Sequence, residues 1–182
     1  MRKYIFISGI PASGKTTLGR EISRELGYPF LDKDEILEAM YDSLGTGDPN
    51  WRETLSRSAD TILQRLVSVQ DNVVFTSWWH HPKSPDNSGT QIDWIDNLNG
   101  EIIEVYCHCN PKEAVSRFQS RKRHQGHLDS TRGKNSLIPK FEQYAQLGPL
   151  SISNVIKVDT TSEIDFEQLI YQIEWDAGKK VK

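Results

Sequence analysis

The 182-residue sequence is short of cysteine, of long apolar runs and of net charge. Cys107 and Cys109 are the only cysteines. They stand two apart in what reads as a strand, so their side chains share a face and point in parallel, a geometry that rarely closes a disulfide. A reduced, cytoplasmic location is the expectation. No apolar run approaches the ~20 residues of a membrane helix. The opening residues 1–8 form too short an apolar run for a signal peptide and lead straight into a motif. No internal repeat, low-complexity tract or linker is present. The net charge of −3 gives no global attraction to nucleic acid. With 36% hydrophobic and 26% charged residues, the chain has the composition of a folded domain rather than a disordered one. At this length one domain with one core is expected.

The charge is unevenly spread. From Lys112 to Lys140 there are eight Lys/Arg against two acids. A basic segment in an acidic protein points to a local anionic ligand. A solvated basic helix is the plainer reading of the same count.

Short apolar runs alternate with helical periods. Strands are predicted at Tyr4–Ser8, Pro29–Leu31, Val73–Thr76, Ile102–Cys107 and Val155–Val158. Helices are predicted at Lys15–Leu26, Asp34–Tyr41, Pro49–Val69, Thr90–Leu98, Pro111–Arg123, Leu137–Ala145 and Glu163–Trp175. Gly27 should stop the first helix, and Asp48 with Pro49 should start the third. On that third helix Trp51, Leu55, Ile62, Leu66 and Val69 fall near one stripe. The strand runs are continuously apolar, as in a parallel sheet covered on both faces. The expected fold class is α/β, a three-layer domain. Ligands of such sheets sit beyond the carboxyl ends of the strands.

The first strand end carries Gly9-Ile10-Pro11-Ala12-Ser13-Gly14-Lys15-Thr16-Thr17. This is G-x-x-x-x-G-K-[ST], with a strand before it and an amphipathic helix after it. The glycines let backbone wrap a phosphate, and the loop amides and helix N-terminus aim positive dipoles at it. Lys15 can reach the β- and γ-phosphates, and the Thr16 hydroxyl can ligate Mg²⁺. A nucleoside triphosphate with Mg²⁺ is the implied ligand.

The second strand ends Asp32-Lys33-Asp34. An acceptor hydroxyl needs a carboxylate to take its proton, and Mg²⁺ needs oxygen ligands. Asp34 is assigned as base and Asp32 to the metal side, though either could simply cap the next helix. The third strand ends Thr76-Ser77 with no acid. That counts against a dedicated hydrolase, although either hydroxyl could contact a metal-bound water.

Arg117 and Arg121 lie four apart on one predicted helical face, with Arg123 just beyond. They can close over the phosphates and exclude water, as a lid at about 117–135. An exposed helix tail is the alternative. For the acceptor pocket the candidates are Asp34, Arg57, Trp78 and Trp79, with Arg57 preferred to Arg52. Trp51 reads better as a staple of its helix, and His80 and His81 as members of a solvated loop. His124 and His127 are expected near phosphate or solvent. Zinc at Cys107-His108-Cys109 is rejected, since alternation turns His108 away from both thiols.

Together these residues resemble the small P-loop kinases, the group of adenylate, shikimate and gluconate kinases, chloramphenicol phosphotransferase and zeta-toxin-like proteins. The Asp32-Lys33-Asp34 pair is similar to that of shikimate kinases, and Arg117 to Arg121 resembles the family's lid. The resemblance implies a P-loop NTPase fold with a five-stranded parallel sheet in order 2-3-1-4-5 and a helical lid. It implies ATP, Mg²⁺ and phosphoryl transfer to a small molecule. It places Val158-Asp159-Thr160-Thr161 against the adenine, so Asp159 and Thr160 join the cofactor-binding set. The nearest match looks like the ATP-binding proteins and predicted kinases of unknown substrate.

Thr76-Ser77-Trp78-Trp79 departs from the Asp-Gly-Phe-Pro-like turn of nucleotide kinases. The expected function is therefore an ATP- and Mg-dependent small-molecule kinase with an unnamed acceptor. Two alternatives stand: a non-catalytic nucleotide switch or weak ATPase, and a kinase for a nucleic-acid 5′-hydroxyl or an activated sugar. The expected organisation is one domain over 1–176, with an acceptor-binding helical region at about 33–70 and a basic tail at 177–182. The chain would act as a monomer or homodimer, without a membrane and with nucleic acid a secondary candidate.

Overall fold

A computed structural model describes residues 2–127 and 134–176. Five strands, β1 (Lys3–Gly9), β2 (Phe30–Asp32), β3 (Asn72–Thr76), β4 (Glu101–His108) and β5 (Asn154–Asp159), form one sheet in the order 2-3-1-4-5. Every pairing is parallel. Among the described residues six α-helices accompany them: α1 (Lys15–Leu26), α2 (Lys33–Leu44), α3 (Pro49–Ser68), α4 (Pro111–Ser120), α5 (Lys134–Leu147) and α6 (Phe166–Tyr171). The fold class and strand order are as the sequence and the resemblance implied.

The two faces of the central strands explain the layers. Ile5 and Ile7 pack with Leu18, Ile22 and Leu169 under α1 and α6. Tyr4 and Phe6 pack oppositely, with Leu63, Val67 and Phe75 under α3. Both residue sets of β1 are apolar because both faces are covered. Each fully buried Ile or Leu contributes about 1.5–3 kcal/mol. A third cluster, with Phe118, Leu137 and Phe141, joins α4 to α5 beside the phosphate loop.

Several elements depart from expectation. On α3 the buried stripe is Leu55, Ala59, Leu63 and Val67, whereas Trp51, Ile62, Leu66 and Val69 are exposed. Two apolar stripes competed, and the one carrying the small Ala59 lets α2 and the sheet approach closely. Residues 90–98 hold only a 3₁₀ turn, Ile95–Asn97. Thr90 commits its backbone to a bridge with the 78–80 strand exit, donating to the Trp78 carbonyl at 2.7 Å and accepting from His80 N at 2.8 Å. Helix α4 stops at Ser120, and Arg121 is already extended. Helix α6 starts only at Phe166, capped by Asp165, and ends in a π turn over Gln172–Asp176. The predicted basic tail 177–182 and the part of the predicted lid at 128–133 lie outside the described residues. Among the described residues no helix is long and apolar enough to cross a membrane.

Candidate active site

An open cleft of about 1000 Å³ lies at the carboxyl ends of the strands. One wall is the loop between β1 and α1. Gly9 has φ +133°, and a Cβ there would stand 2.6 Å from the Cys107 carbonyl oxygen. Gly14 has φ +95° and begins α1 in the left-handed region. Both positions therefore require glycine. Helices α2, α3, α4 and α6 are each capped by a side chain, from Asp32, Asp48, Asn110 and Asp165. Helix α1 has no side-chain cap and no acid in its first turn. Its leading amides face the cleft with a positive end that suits an anion.

Lys15 Nζ donates to the carbonyls of Gly9 and Ile10, each at 3.0 Å, inside the loop it belongs to. Burial pushes its pKa down to about 8. The Arg121 guanidinium adds a smaller push in the same direction. A phosphate beside Lys15 would restore its charge. The loop is pinned from behind by Thr160, whose hydroxyl lies 2.6 Å from the Ser13 carbonyl and 3.0 Å from that of His108.

At the end of β2, Thr16 Oγ1 donates to Asp32 Oδ2 at 2.7 Å. The other carboxylate oxygen of Asp32 accepts from Asp34 N at 2.9 Å. Asp32 is thus both helix cap and Thr16 partner. Its carboxyl is buried, and burial, then the neighbouring Asp34, push its pKa up. A hydroxyl and a desolvated carboxylate in contact are the hard oxygen donors that Mg²⁺ prefers. The residues present fit that ion.

Asp34 reaches further out and forms an ion pair with Arg123. Lys33, between the two acids, turns away. Its Nζ lies 2.7 Å from Asp60 and donates to Ser56 Oγ at 3.1 Å. Asp60 also accepts from Thr90 Oγ1 at 2.6 Å, and Thr90 shares a 2.5 Å hydrogen bond with Ser77. Thr76 donates to the Ile7 carbonyl at 3.1 Å. Both hydroxyls at the end of β3 thus make structural hydrogen bonds, and both residues line the cleft.

The predicted residues divide into three groups. Pro11, Ala12, Gly14, Lys15, Thr16, Thr17, Asp32, Asp34, Arg57, Trp78, Arg117, Arg121 and Thr160 all line the cleft. Gly9, Ile10 and Ser13 shape the loop from outside that lining, with Ile10 and Ser13 buried. Trp79 and Asp159 stand outside the cleft lining, and Trp79 is a correction. Trp79 is buried among Phe6, Phe75 and Trp94, its indole donating to the Ile7 carbonyl at 2.8 Å. Strand-like alternation sends Trp78 into the cleft and Trp79 into the core. Asp159 is exposed and accepts from the amide and hydroxyl of Thr161, closing its own turn.

Arg117 is held by Glu113 at 3.0 Å and by the Thr160 carbonyl at 3.0 Å. It stands at the β5 wall. Arg121 lies over the Phe118 ring at 4.7 Å. Because α4 ends between them, these arginines share the cleft but not a helical face. His80 and His81 tie loop backbone, lying 3.3 Å from the carbonyls of Ser88 and Pro149 respectively. His108 is exposed while Cys107 and Cys109 are buried, and burial raises the Cys107 thiol to about 12.

Two contributors, Tyr144 and Glu104, are not legible in the sequence. Tyr144, from α5, meets Trp78 at 4.8 Å between ring centroids, across a gap of 66 positions that no local pattern spans. Arg123, expected with Arg117 and Arg121 over the phosphates, pairs with Asp34. Glu104 was hidden in an apolar run, although one acid inside Ile102-Ile103-Glu104-Val105 was itself a signal. It is fully buried, accepts from Ser8 Oγ at 2.5 Å and from the amides of Leu150 and Ser151 at 2.8 Å, and so ties the loop strand to the α5–β5 connection.

Comparison with known proteins gives a consistent picture. A family model described as "AAA domain" matches residues 5–136. The shikimate kinase of Dechloromonas aromatica is 30% identical over 113 residues, covering 58% of this chain and 59% of that protein. A shikimate kinase of Bacteroides fragilis is 29% identical over 119 residues, covering 65% and 63%. The chain thus spans about three fifths of the length of these curated relatives. Among solved structures, a provisionally assigned kinase from Chloroflexus aurantiacus superposes with a TM-score of 0.75 at 22% identity, over 96% of this chain and 95% of that one. Deoxyadenosine kinase from M. mycoides gives 0.58 at 18% identity, over 94% and 99%. At these identities the structural likeness is one of fold.

Proposed function

The chain belongs to the AAA domain family, and from that premise we propose that it is an ATP- and Mg²⁺-dependent kinase that phosphorylates a hydroxyl of a small molecule. One observation carries the reading. A second carboxylate, Asp34, faces the same cleft as Lys15 and the Thr16–Asp32 pair, while the end of β3 offers no acid. This arrangement suits a site that activates an acceptor rather than one dedicated to activating water. The kinases among the relatives and structural neighbours support the same class.

In this reading the loop amides and Lys15 grip the β- and γ-phosphates. Thr16 and Asp32 would hold Mg²⁺, which supplies charge neutralisation for the triphosphate when bound. Asp34 orients the acceptor hydroxyl and takes its proton as the oxygen bonds to the γ-phosphorus and the bond to ADP breaks. Arg121 adds positive charge beside Lys15, and Arg117 braces the Thr160 turn against which the nucleotide base would lie. Trp78, backed by Tyr144, offers the acceptor an apolar face. Arg57, 3.2 Å from the Gly89 carbonyl, offers it a cation.

The test is ATP consumption with Mg²⁺ against pools of hydroxyl-bearing metabolites, antibiotics, nucleosides and 5′-hydroxyl oligonucleotides, with Lys15→Ala as control. Consumption that depends on one pool and on Lys15 is the expected result, and Asp34→Asn should then cut turnover far more than nucleotide affinity. ATP binding with only slow, acceptor-independent turnover in every pool would overturn the reading in favour of a nucleotide switch.

A further inference from the structure

The segment 121–127 lies against α2 by a set of matched contacts. Asp34, Glu38 and Asp42 are spaced four apart and form one acidic ridge. Arg123 pairs with Asp34, His127 Nε2 lies 2.8 Å from Glu38, and His124 Nε2 lies 3.1 Å from Asp42. The Tyr41 ring stacks on His124 at 5.5 Å and meets His127 edge-on at 6.1 Å. Gly126 packs onto the same ring so closely that a Cβ would stand 2.4 Å from it. The docking is therefore specific, and it brings the Arg123 guanidinium to Asp34. Arg123 is 17% exposed and Asp34 47%, so the pair sits at the cleft edge with one side of Asp34 open.

We propose that Arg123 guards Asp34: in the acceptor-free protein the docked segment holds this carboxylate in an ion pair, so that an acceptor, but not water, displaces the guanidinium and gains the base. The inference rests on the kinase reading given above. The guanidinium occupies Oδ2 of Asp34 and must leave it before a hydroxyl can bond there. An acceptor brings binding energy from Trp78, Arg57 and their neighbours to the exchange, whereas a water molecule brings none. Without the guard, water would bond to the γ-phosphorus as the bond to ADP breaks, and its proton would pass to Asp34. ATP would then be lost as ADP and phosphate.

The experiment needs no acceptor. Phosphate release from Mg·ATP is measured for the intact chain and for Arg123→Met, Arg123→Lys and Gly126→Ala. It is measured again for Asp34→Asn with and without Arg123→Met. Arg123→Met and Gly126→Ala should raise acceptor-free hydrolysis about five-fold, the order of a partly exposed ion pair, with the ATP KM unchanged. Arg123→Lys should raise it less, and Arg123→Met should raise nothing in the Asp34→Asn background. An equal rise in that background would show mere opening of the cleft and overturn the proposal. So would an unchanged or lower rate in Arg123→Met, even where the intact chain itself shows no hydrolysis. The kinase reading is judged separately by the acceptor pools: turnover there beside a flat Arg123→Met result would sink the guard alone.

Discussion

Replacing Lys15 with Met should make the protein more stable and less able to hold nucleotide. The side chain keeps its length and loses its charge. Burial lowers the Lys15 pKa from its ordinary 10.5 to about 8. At about 1.4 kcal/mol per pH unit, the folded protein carries a cost of at most about 3.5 kcal/mol at neutral pH. Lys15 is only partly buried and faces an open cleft, so solvent screening reduces this to about 1.5 kcal/mol. For a chain of this size that is a rise in Tm of about 4 °C.

The sign follows from linkage. The unfolded chain holds the Lys15 proton up to 10.5 and the folded chain only to about 8. The cost is therefore complete below about pH 8 and fades as pH rises towards 10.5. Melting curves of both proteins from pH 7 to 10.5 should show the variant ahead at pH 7 and the gap closing through that window. With saturating Mg·ATP the order should reverse, since at a hundred times Kd a ligand adds about 2.7 kcal/mol and the variant forfeits most of that. A variant that melts lower at pH 7 without nucleotide, or a gap constant to pH 10.5, would refute the account of Lys15 as a destabilising group kept for phosphate.

Asp32→Asn keeps a good helix cap while removing a carboxyl whose pKa is raised by burial and then by Asp34. Its stabilising share is complete below the ordinary 3.8 and lost as pH rises through its folded value. The variant should thus melt higher without metal at pH 7, yet gain nothing from Mg²⁺ and nucleotide together. In the unaltered protein that Mg²⁺ gain should fall away on acidification at a higher pH than an ordinary carboxylate would give. Glu104→Gln leaves three converging donors with one poor acceptor and should cost about 3 kcal/mol, read as a fall in Tm of about 9 °C. Trp79→Leu should cost about 3 kcal/mol, whereas Trp78→Leu should leave Tm nearly unchanged and raise the KM of whichever acceptor the pools reveal.

Pattern alone determined the α/β class, all five strands, the phosphate loop and its Lys15 and Thr16. Each rests on information local in the chain: continuous apolar runs, helical spacing, and a glycine signature whose backbone geometry needs no distant partner. The acidic pair after β2 was legible for the same reason. Tertiary structure decided the rest. Which of two apolar stripes on α3 turned inward depended on what lay opposite, and Ala59 fitted there. Which of Trp78 and Trp79 reached the cleft depended on the register of a short bridge to Thr90. The partners of Asp34, Lys33 and Glu104 stand 89, 27 and 46 positions away, at Arg123, Asp60 and Leu150. Charge and hydropathy announce that such residues need partners, because buried or crowded charges are costly alone. Only the folded chain shows which partners they find, because the sheet brings distant loops to one edge.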